Sequence, residues 1–462
     1  MMPTPSVEFR AGSVRPATAV AGSAVSLRAA GVLLLAIFAL LALPARAQNT
    51  YTVSNTASSG TGSLAAAVAS VNTDTTDTGT ISDTIDFSLT GTSNTITLTS
   101  TLTINRNVTI TGPGATALTI SGGGTVGVFA INSGTVSISG LTIANGNNSC
   151  STYNCGGGGI YNLGTLTLSN STVSGNTASI GTPTNCGTPG TSPCPGGGNA
   201  SGGGGGINNA GTLTLSNSTV SGNTASIAAM PPNPSDGGTG GGIFNNGTLT
   251  ITNSTVSGNT AGSGGGFGGG IYNNNGTGTI ANSTISGNTS GDGGGIVVYG
   301  GSITLTNSIV AGNTDSSNTG EDCYGCTLSG NNLISTPTNI INPMLGPLQN
   351  NGGPTETMLP QIGSPALKAG SGSTLATDQR GFPRPTGTGV VSDLGAVQTD
   401  DYIVTTTADT TNSGTACDGT SACSLRDAIT LANSYGFGDI SFEKGVKGTI
   451  LLTSALPPSP PM

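Results

Sequence analysis

The chain has 462 residues and a net charge of −9, with no His and no Trp, and only 7% of its residues are charged. Its 78 Gly and 24 Pro bring it near the level of a low-complexity chain, yet an aliphatic alternation runs through most of it, which disordered chains lack. The scarcity of basic residues excludes a nucleic-acid surface, because phosphate binding needs Lys and Arg patches.

At the N-terminus Arg10, Arg15 and Arg28 precede an apolar run, residues 29–43, and then Ala45-Arg46-Ala47, a small-x-small cleavage pattern before Gln48. This reads as an export signal over residues 1–47. A retained anchor is the alternative, but the run falls short of the roughly 20 residues that span a bilayer. No other segment is apolar enough to cross, so the expectation is an exported protein, extracellular or on a bacterial outer surface, with no integral membrane span. Loss of Arg10, Arg15, Arg28, Arg46 and Glu8 leaves the remainder more acidic still.

Residues 48–125 read as first coils and an N-terminal cap. Leu64, Val68 and Val71 fall at i, i+4 and i+7, which predicts a short amphipathic helix. Such a helix would cover the open end of a stack of strands.

Residues 126–341 are repeats. NSTVSGNTA begins at Asn170, Asn217 and Asn253, followed by NSTISGNTS from Asn282 and NSIVAGNT from Asn307; a worn copy spans residues 134–147. Each is preceded by a glycine run ending in Ile (Ile160, Ile207, Ile243, Ile271, Ile296) and by an alternating stretch such as GTLTLSN. One unit therefore predicts three short strands separated by Gly and Asn corners, stacked as a β-solenoid. The starts lie 47, 36, 29 and 25 residues apart, and all the variation falls between SGNTA and the next glycine run. Insertions are thus expected at one corner, as loops on a single face.

Period-two alternation puts Leu166/Leu168, Leu213/Leu215, Leu249/Ile251 and Ile303/Leu305 inside, with Val173, Val220, Val256, Ile285 and Ile309 from the next strand. Gly278 and Ile280 take the places of Leu249 and Ile251, so the core should thin there. Asn170, Asn217, Asn253, Asn282 and Asn307 are expected to stack at corners about 4.8 Å apart, tolerating a left-handed backbone and bonding along the stack as an Asn ladder. Outward lie Thr165/Thr167, Thr212/Thr214, Thr248/Thr250, Thr277/Thr279 and Ser302/Thr304. They form a two-column array of about 6.7 by 4.8 Å, similar to the T-x-T grids of ice-binding β-solenoids, although Thr is also an ordinary exposed strand residue.

Carbohydrate-cleaving β-helices need clustered carboxylates or a metal with a basic residue. From Asn107 to Gly320 the charged residues are Asp236, Asp292 and Asp315 alone. No catalytic residue, cofactor site or metal site is therefore assigned. Eight cysteines fall in local pairs, Cys150/Cys155, Cys186/Cys194, Cys323/Cys326 and Cys417/Cys423, which in an exported chain read as loop disulfides. A redox or zinc role for Cys323-x-x-Cys326 finds no thioredoxin-like setting, no His and no second C-x-x-C nearby.

The units GGGIYNLGTLTLSNSTVSGNTA closely resemble the repeats of polymorphic outer-membrane-protein-like right-handed parallel β-helix proteins of bacterial surfaces, with a pectin-lyase-like fold. Residues 342–370 and 377–398, with NPMLGPLQNNGGPTETMLPQIGSPALKAG, TDQRGFPRP and SDLGAVQ, resemble a choice-of-anchor Q domain. The family's usual His near Met358 and Asp near Lys368 are absent. Read from its residues, segment 342–398 is a last set of irregular coils and a closing cap, with Asp378, Arg380, Arg384 and Asp393 as ion pairs. Residues 399–462 repeat the start of the chain: SLAAAVASVN at Ser63 matches SLRDAITLAN at Ser424, DTIDF at Asp83 matches GDISF at Gly438, and TITLTSTL at Thr95 matches TILLTSAL at Thr449. This copy resembles a CSLREA domain with Asp427 in place of Glu, and reads as a second, incomplete cap.

The expected fold is all-β: a right-handed parallel β-helix with a short N-terminal capping helix and an irregular C-terminal cap. The expected role is structural or adhesive, through variable loops that meet cell-surface glycans or surface molecules of a host or neighbouring cell. A polysaccharide-binding or polysaccharide-cleaving β-helix is the alternative.

Overall fold

The computed structural model describes residues 48–74, 82–150, 156–180, 203–227, 238–262, 265–316, 321–361, 363–371, 373–385, 391–399, 401–411, 417, 422–435, 439–442 and 445–458. The repeats stack as a right-handed parallel β-helix with four parallel sheets of ten, nine, eight and six strands. One coil supplies Ile160–Asn162 to the eight-stranded sheet, Thr165–Ser169 to the ten-stranded, Thr172–Ser174 to the nine-stranded and Thr177–Ile180 to the six-stranded. There are thus four strands per coil where the sequence predicted three. The extra corner lies inside SGN, where Gly175, Gly222, Gly258, Gly287 and Gly312 take φ of 63 to 75°, a backbone that favours glycine.

Pairing runs in strict register from coil to coil, so Leu168, Leu215, Ile251, Ile280 and Leu305 form one inward column. Leu166, Leu213, Leu249 and Ile303 form another, and all of these are buried. Each such side chain contributes about 1.5–3 kcal/mol on burial. Gly278 stands opposite Leu249, as expected, and is half-exposed where Leu249 and Ile303 on either side are buried, with room beside it for little more than a methyl group near Leu249 Cβ at 3.3 Å and Ile303 Cγ1 at 3.5 Å.

Ile309 departs from the expected inward column. It pairs with Thr284, and Val310 pairs with Ile285. In NSIVAGNT the third position of the motif is the outward one, and with a period of two the fourth must point in. Ile309 is nonetheless buried, because Ala366 and Leu394 of segment 342–398 pack on it together with Leu333, its neighbour on the next strand.

The corner asparagines take the left-handed backbone expected of them, with φ of 44 to 48° at Asn170, Asn217, Asn253, Asn282 and Asn307. The hydrogen-bonded ladders, however, are made by other asparagines, and among the described residues no side-chain bond joins one corner Asn to the next. In SGNT, Asn176 Nδ2 donates to Asn223 Oδ1, and the chain continues through Asn259 and Asn288 to Asn313 at 2.8–2.9 Å. A second column, in GGGI-x-N, links Asn162, Asn209, Asn245 and Asn273 at 2.6–2.7 Å. The reason is direction. A left-handed corner residue turns its side chain off the stack, whereas the strand-end asparagines point into the water-free interior, where their amides must find partners. Between them runs a serine column: Ser171 N donates to Ser218 Oγ, Ser218 N to Ser254 Oγ and Ser254 N to Ser283 Oγ, each at 3.2 Å.

The first coil is covered by α1 (Leu64–Thr73), whose Ser63 N-cap accepts from Ala66 N and whose Leu64, Ala67, Val68 and Val71 are buried on the core. At the other end the core meets Cys323 and Cys326, which are disulfide-bonded, and the edge strands there are only two residues long. Short edges resist further pairing.

Among its described residues, segment 342–398 adds no further coil. It makes two small antiparallel pairs, Leu345–Gln349 with Thr357–Pro360 and Gly370–Ser371 with Val391–Ser392, and lies back along the outer face of the nine-stranded sheet. Gln379 is its main anchor: its Oε1 accepts from Thr255 Oγ1 at 2.7 Å, and its Nε2 donates to Thr219 Oγ1 at 3.0 Å. Asn253 Nδ2 donates to Thr377 O, Asn307 Nδ2 donates to Ser371 O, and Thr284 Oγ1 accepts from Ala396 N. Two corner asparagines of the expected ladder are thus docking points for this strap.

Residues 401–458 rebuild the start of the chain. Asp401–Val404 pairs in parallel with Asp439–Phe442 as Thr50–Val53 does with Asp83–Phe87, and α2 (Leu425–Tyr435) stands where α1 stands. Ser424 and Asp427 form a reciprocal capping box, and Arg426 pairs with Asp409 while donating to the carbonyls of Ser454 and Ala455. The Cys417–Cys423 disulfide lies in the small core of this module.

Candidate binding surfaces

The outward face of the ten-stranded sheet carries the threonine array where it was expected. Thr165, Thr212, Thr248, Thr277 and Ser302 pair in one column, and Thr167, Thr214, Thr250, Thr279 and Thr304 in the next, at exposed or half-exposed positions. Thr135 and Ser137 extend both columns by one coil.

The loop corner lies between the six-stranded and eight-stranded sheets. The long insertions fall there, after Thr177–Ile180, Thr224–Ile227, Thr260–Ala261 and Thr314–Asp315, but not all the variation does: the corner before Thr277–Ala281 and before Ser302–Thr306 is one residue longer than the corner before Thr248–Thr252. The glycine runs are needed where the backbone re-enters the coil, since a Cβ on Gly241 would meet Gly269 O at 2.4 Å and the Thr260 backbone at 2.5 Å. The residue after each Ile points outward here, giving a column of Tyr161, Asn208, Phe244, Tyr272, Val297 and Tyr324. Phe244 and Tyr272 pack with Phe267, and burial together with neighbouring Tyr299 pushes the Tyr272 phenol up to about 12. The column ends in Tyr324, 55% exposed, while Tyr299, 65% exposed, lies past Val298 at the corner before Ser302–Thr306 with its ring 6.4 Å from that of Tyr272.

The loop corner itself holds an acidic group. Burial raises the Glu321 carboxyl, and the charges of Asp292 and Asp315 raise it further, so these three share one neighbourhood. Asp236 lies outside the described residues, as do Cys155, Cys186 and Cys194, the side chain of Cys150 and residues 1–47. Asp322, by contrast, is a structural group: it is buried and its Oδ1 accepts from Asn313 N at 2.9 Å, terminating the first Asn ladder. The sequence reading missed the aromatic column and this terminator. The first was signalled by the aromatic at the variable place of GGGI-x-N, the second only by the coil pairing.

The buried charged residues of the strap are bonded within it, save that Arg384 Nε has no partner among the described residues. Asp378 and Arg380 are fully buried and pair at 2.6 Å, Arg380 Nη2 also donates to Gln398 O, and its guanidinium lies 4.5 Å from the Phe382 ring. Arg384, pushed down to about 10 by burial, donates to the carbonyls of Asp393 and Gly395. Asp393 accepts from Lys368 N and Thr399 N. This network holds the strap's shape. Among the described residues no group of three His, Cys, Asp or Glu is placed to hold a metal ion, and no helix is long and apolar enough to cross a membrane.

Neither protein-family models nor curated proteins yield a match to this chain.

Proposed function

We propose that this chain is an exported surface protein of the polymorphic outer-membrane-protein-like β-helix type, with a choice-of-anchor-Q-like strap and a CSLREA-like module, and that its work is adhesive. The observation that carries this reading is the concentration of length variation at one corner of an otherwise regular, nearly uncharged scaffold, the other corners varying by a single residue. That is how a repeat protein varies what it binds without disturbing its core. The same corner carries the Asp292, Asp315 and Glu321 carboxylates, and the eight-stranded sheet that leads away from it bears the accessible rings of Tyr324 and, just past its strand, Tyr299. Aromatic faces and hydrogen-bonding carboxylates are groups that suit a glycan, which offers apolar ring faces and hydroxyl donors. Cleavage would call on the same carboxylates, with Glu321, raised by burial and by Asp292 and Asp315, as the acid, so turnover on each bound sugar separates the two readings.

Glycan-array screening of the whole protein tests this, followed by turnover assays on each hit. Binding that is lost in Tyr299→Ala and Tyr324→Ala, with the sugar intact, supports the reading. Bond cleavage that disappears with Asp292→Asn or Asp315→Asn supports a polysaccharide-cleaving enzyme instead.

A further inference from the structure

We infer that the threonine face of the ten-stranded sheet is a second binding surface, separate from the loop corner, and that it binds ice. Between Thr109 and Thr327 every outward position of this sheet is Thr or Ser except Ala281, as read from Val108–Thr111, Thr135–Ser139, Thr165–Ser169, Thr212–Ser216, Thr248–Thr252, Thr277–Ala281, Ser302–Thr306 and Thr327–Leu328. No charged or aromatic side chain interrupts it. The register is unshifted from Thr135 to Ser302, so the rows repeat at the strand spacing of about 4.8 Å and the columns at about 6.7 Å.

The neighbouring sheet provides an internal contrast. Its outward threonines Thr219, Thr255 and Thr284 are buried and hydrogen-bonded by the strap. On the ten-stranded sheet, among the described residues, no hydrogen bond from the protein engages the hydroxyls of Thr165, Thr167, Thr212, Thr214, Thr248 or Thr250. Each row therefore presents a methyl and an uncommitted hydroxyl at fixed intervals, held by a hydrogen-bonded scaffold that pays no ordering entropy on contact. A two-dimensional lattice of this kind matches a ligand that is itself a lattice of hydrogen-bonding oxygens. Ice fits better than a crystalline polysaccharide, because the face lacks the aromatic rings on which pyranose faces stack.

The test is thermal hysteresis and inhibition of ice recrystallisation by the whole protein, beside the double variant Thr214→Tyr/Thr250→Tyr and the control Ser174→Tyr, whose site is a half-exposed outward position of the other sheet. Far-UV circular dichroism checks the fold of each. We expect both activities in the unaltered chain and in Ser174→Tyr, and their loss in the double variant. Absence of both activities from the unaltered chain, or equal loss in Ser174→Tyr, overturns the inference. So does co-sedimentation with microcrystalline cellulose or chitin that the double variant abolishes, if ice is unaffected.

Discussion

Asn259→Ala is the sharpest probe of what holds the coils together. The Asn259 side chain is fully buried; its Oδ1 accepts from Asn223 N at 3.1 Å and from Asn223 Nδ2 at 2.9 Å. Its Nδ2 donates to Val220 O at 3.0 Å and to Asn288 Oδ1 at 2.8 Å. Alanine removes four bonds, each with a net value near 1 kcal/mol, and leaves two donors of Asn223 buried without these acceptors at about 1–3 kcal/mol each. Because the losses overlap, the expected cost is about 3–5 kcal/mol. Asn217→Gly should behave oppositely. That residue has φ of 47°, which glycine adopts freely, and its side chain belongs to no ladder, so the cost should stay within about 1 kcal/mol of zero. Equilibrium urea unfolding gives the totals, and amide hydrogen exchange at Asn223 gives the local loss, since a repeat array can open in stages. A cost below about 1 kcal/mol for Asn259→Ala, or an equal cost for Asn217→Gly, would refute the placement of the ladder.

Further expectations follow from other parts of the fold. Gly241→Ala should destabilise by about 3 kcal/mol or more, because the added methyl meets backbone at 2.4 Å rather than a side chain that can move, and thermal unfolding reads it directly. Ile309→Thr restores the consensus motif but strips the apolar contact under Leu394 and Ala366, so it should speed proteolysis within residues 342–398 while leaving the coils intact. Burial raises the Asp322 carboxyl, with opposing hydrogen bonds from Ser335 and Asn313. Its stabilising contribution is therefore full below the ordinary aspartate value of about 3.9 and is lost as pH rises from there through the folded value. Asp322→Asn keeps an acceptor for Asn313 N, so it should flatten the decline in stability above that pH; an unchanged profile in pH-dependent unfolding would count against the assignment.

Much of this architecture was legible because the repeat states it many times. Coil stacking, the inward Leu166 and Leu168 columns, the capping helix and the corner backbone of Asn170 all follow from alternation and from the steric demands of left-handed corners. What the sequence hid was direction. Two asparagines per motif recur equally well, and only the three-dimensional path shows that Asn176 points into the stack while Asn170 turns away from it. Ile309 was misplaced for a related reason: hydrophobicity alone suggested an inward residue, and its true partner, the strap, lies far along the chain. The strap's return over Thr219 and Thr255 is a long-range pairing that no local pattern encodes. At the candidate site, the long loops of one face were readable from spacing, but the alignment of Phe244, Tyr272 and Tyr324 depends on coil stacking.

The central claim is that the repeats supply the scaffold and the loop corner supplies the specificity. Its most direct test is the glycan-array profile of a chain in which residues 181–202 and 228–237 are shortened to the compact spacing of the later coils. The account predicts unchanged circular dichroism and urea unfolding with altered or abolished glycan binding. An array profile identical to that of the full-length loops would contradict it.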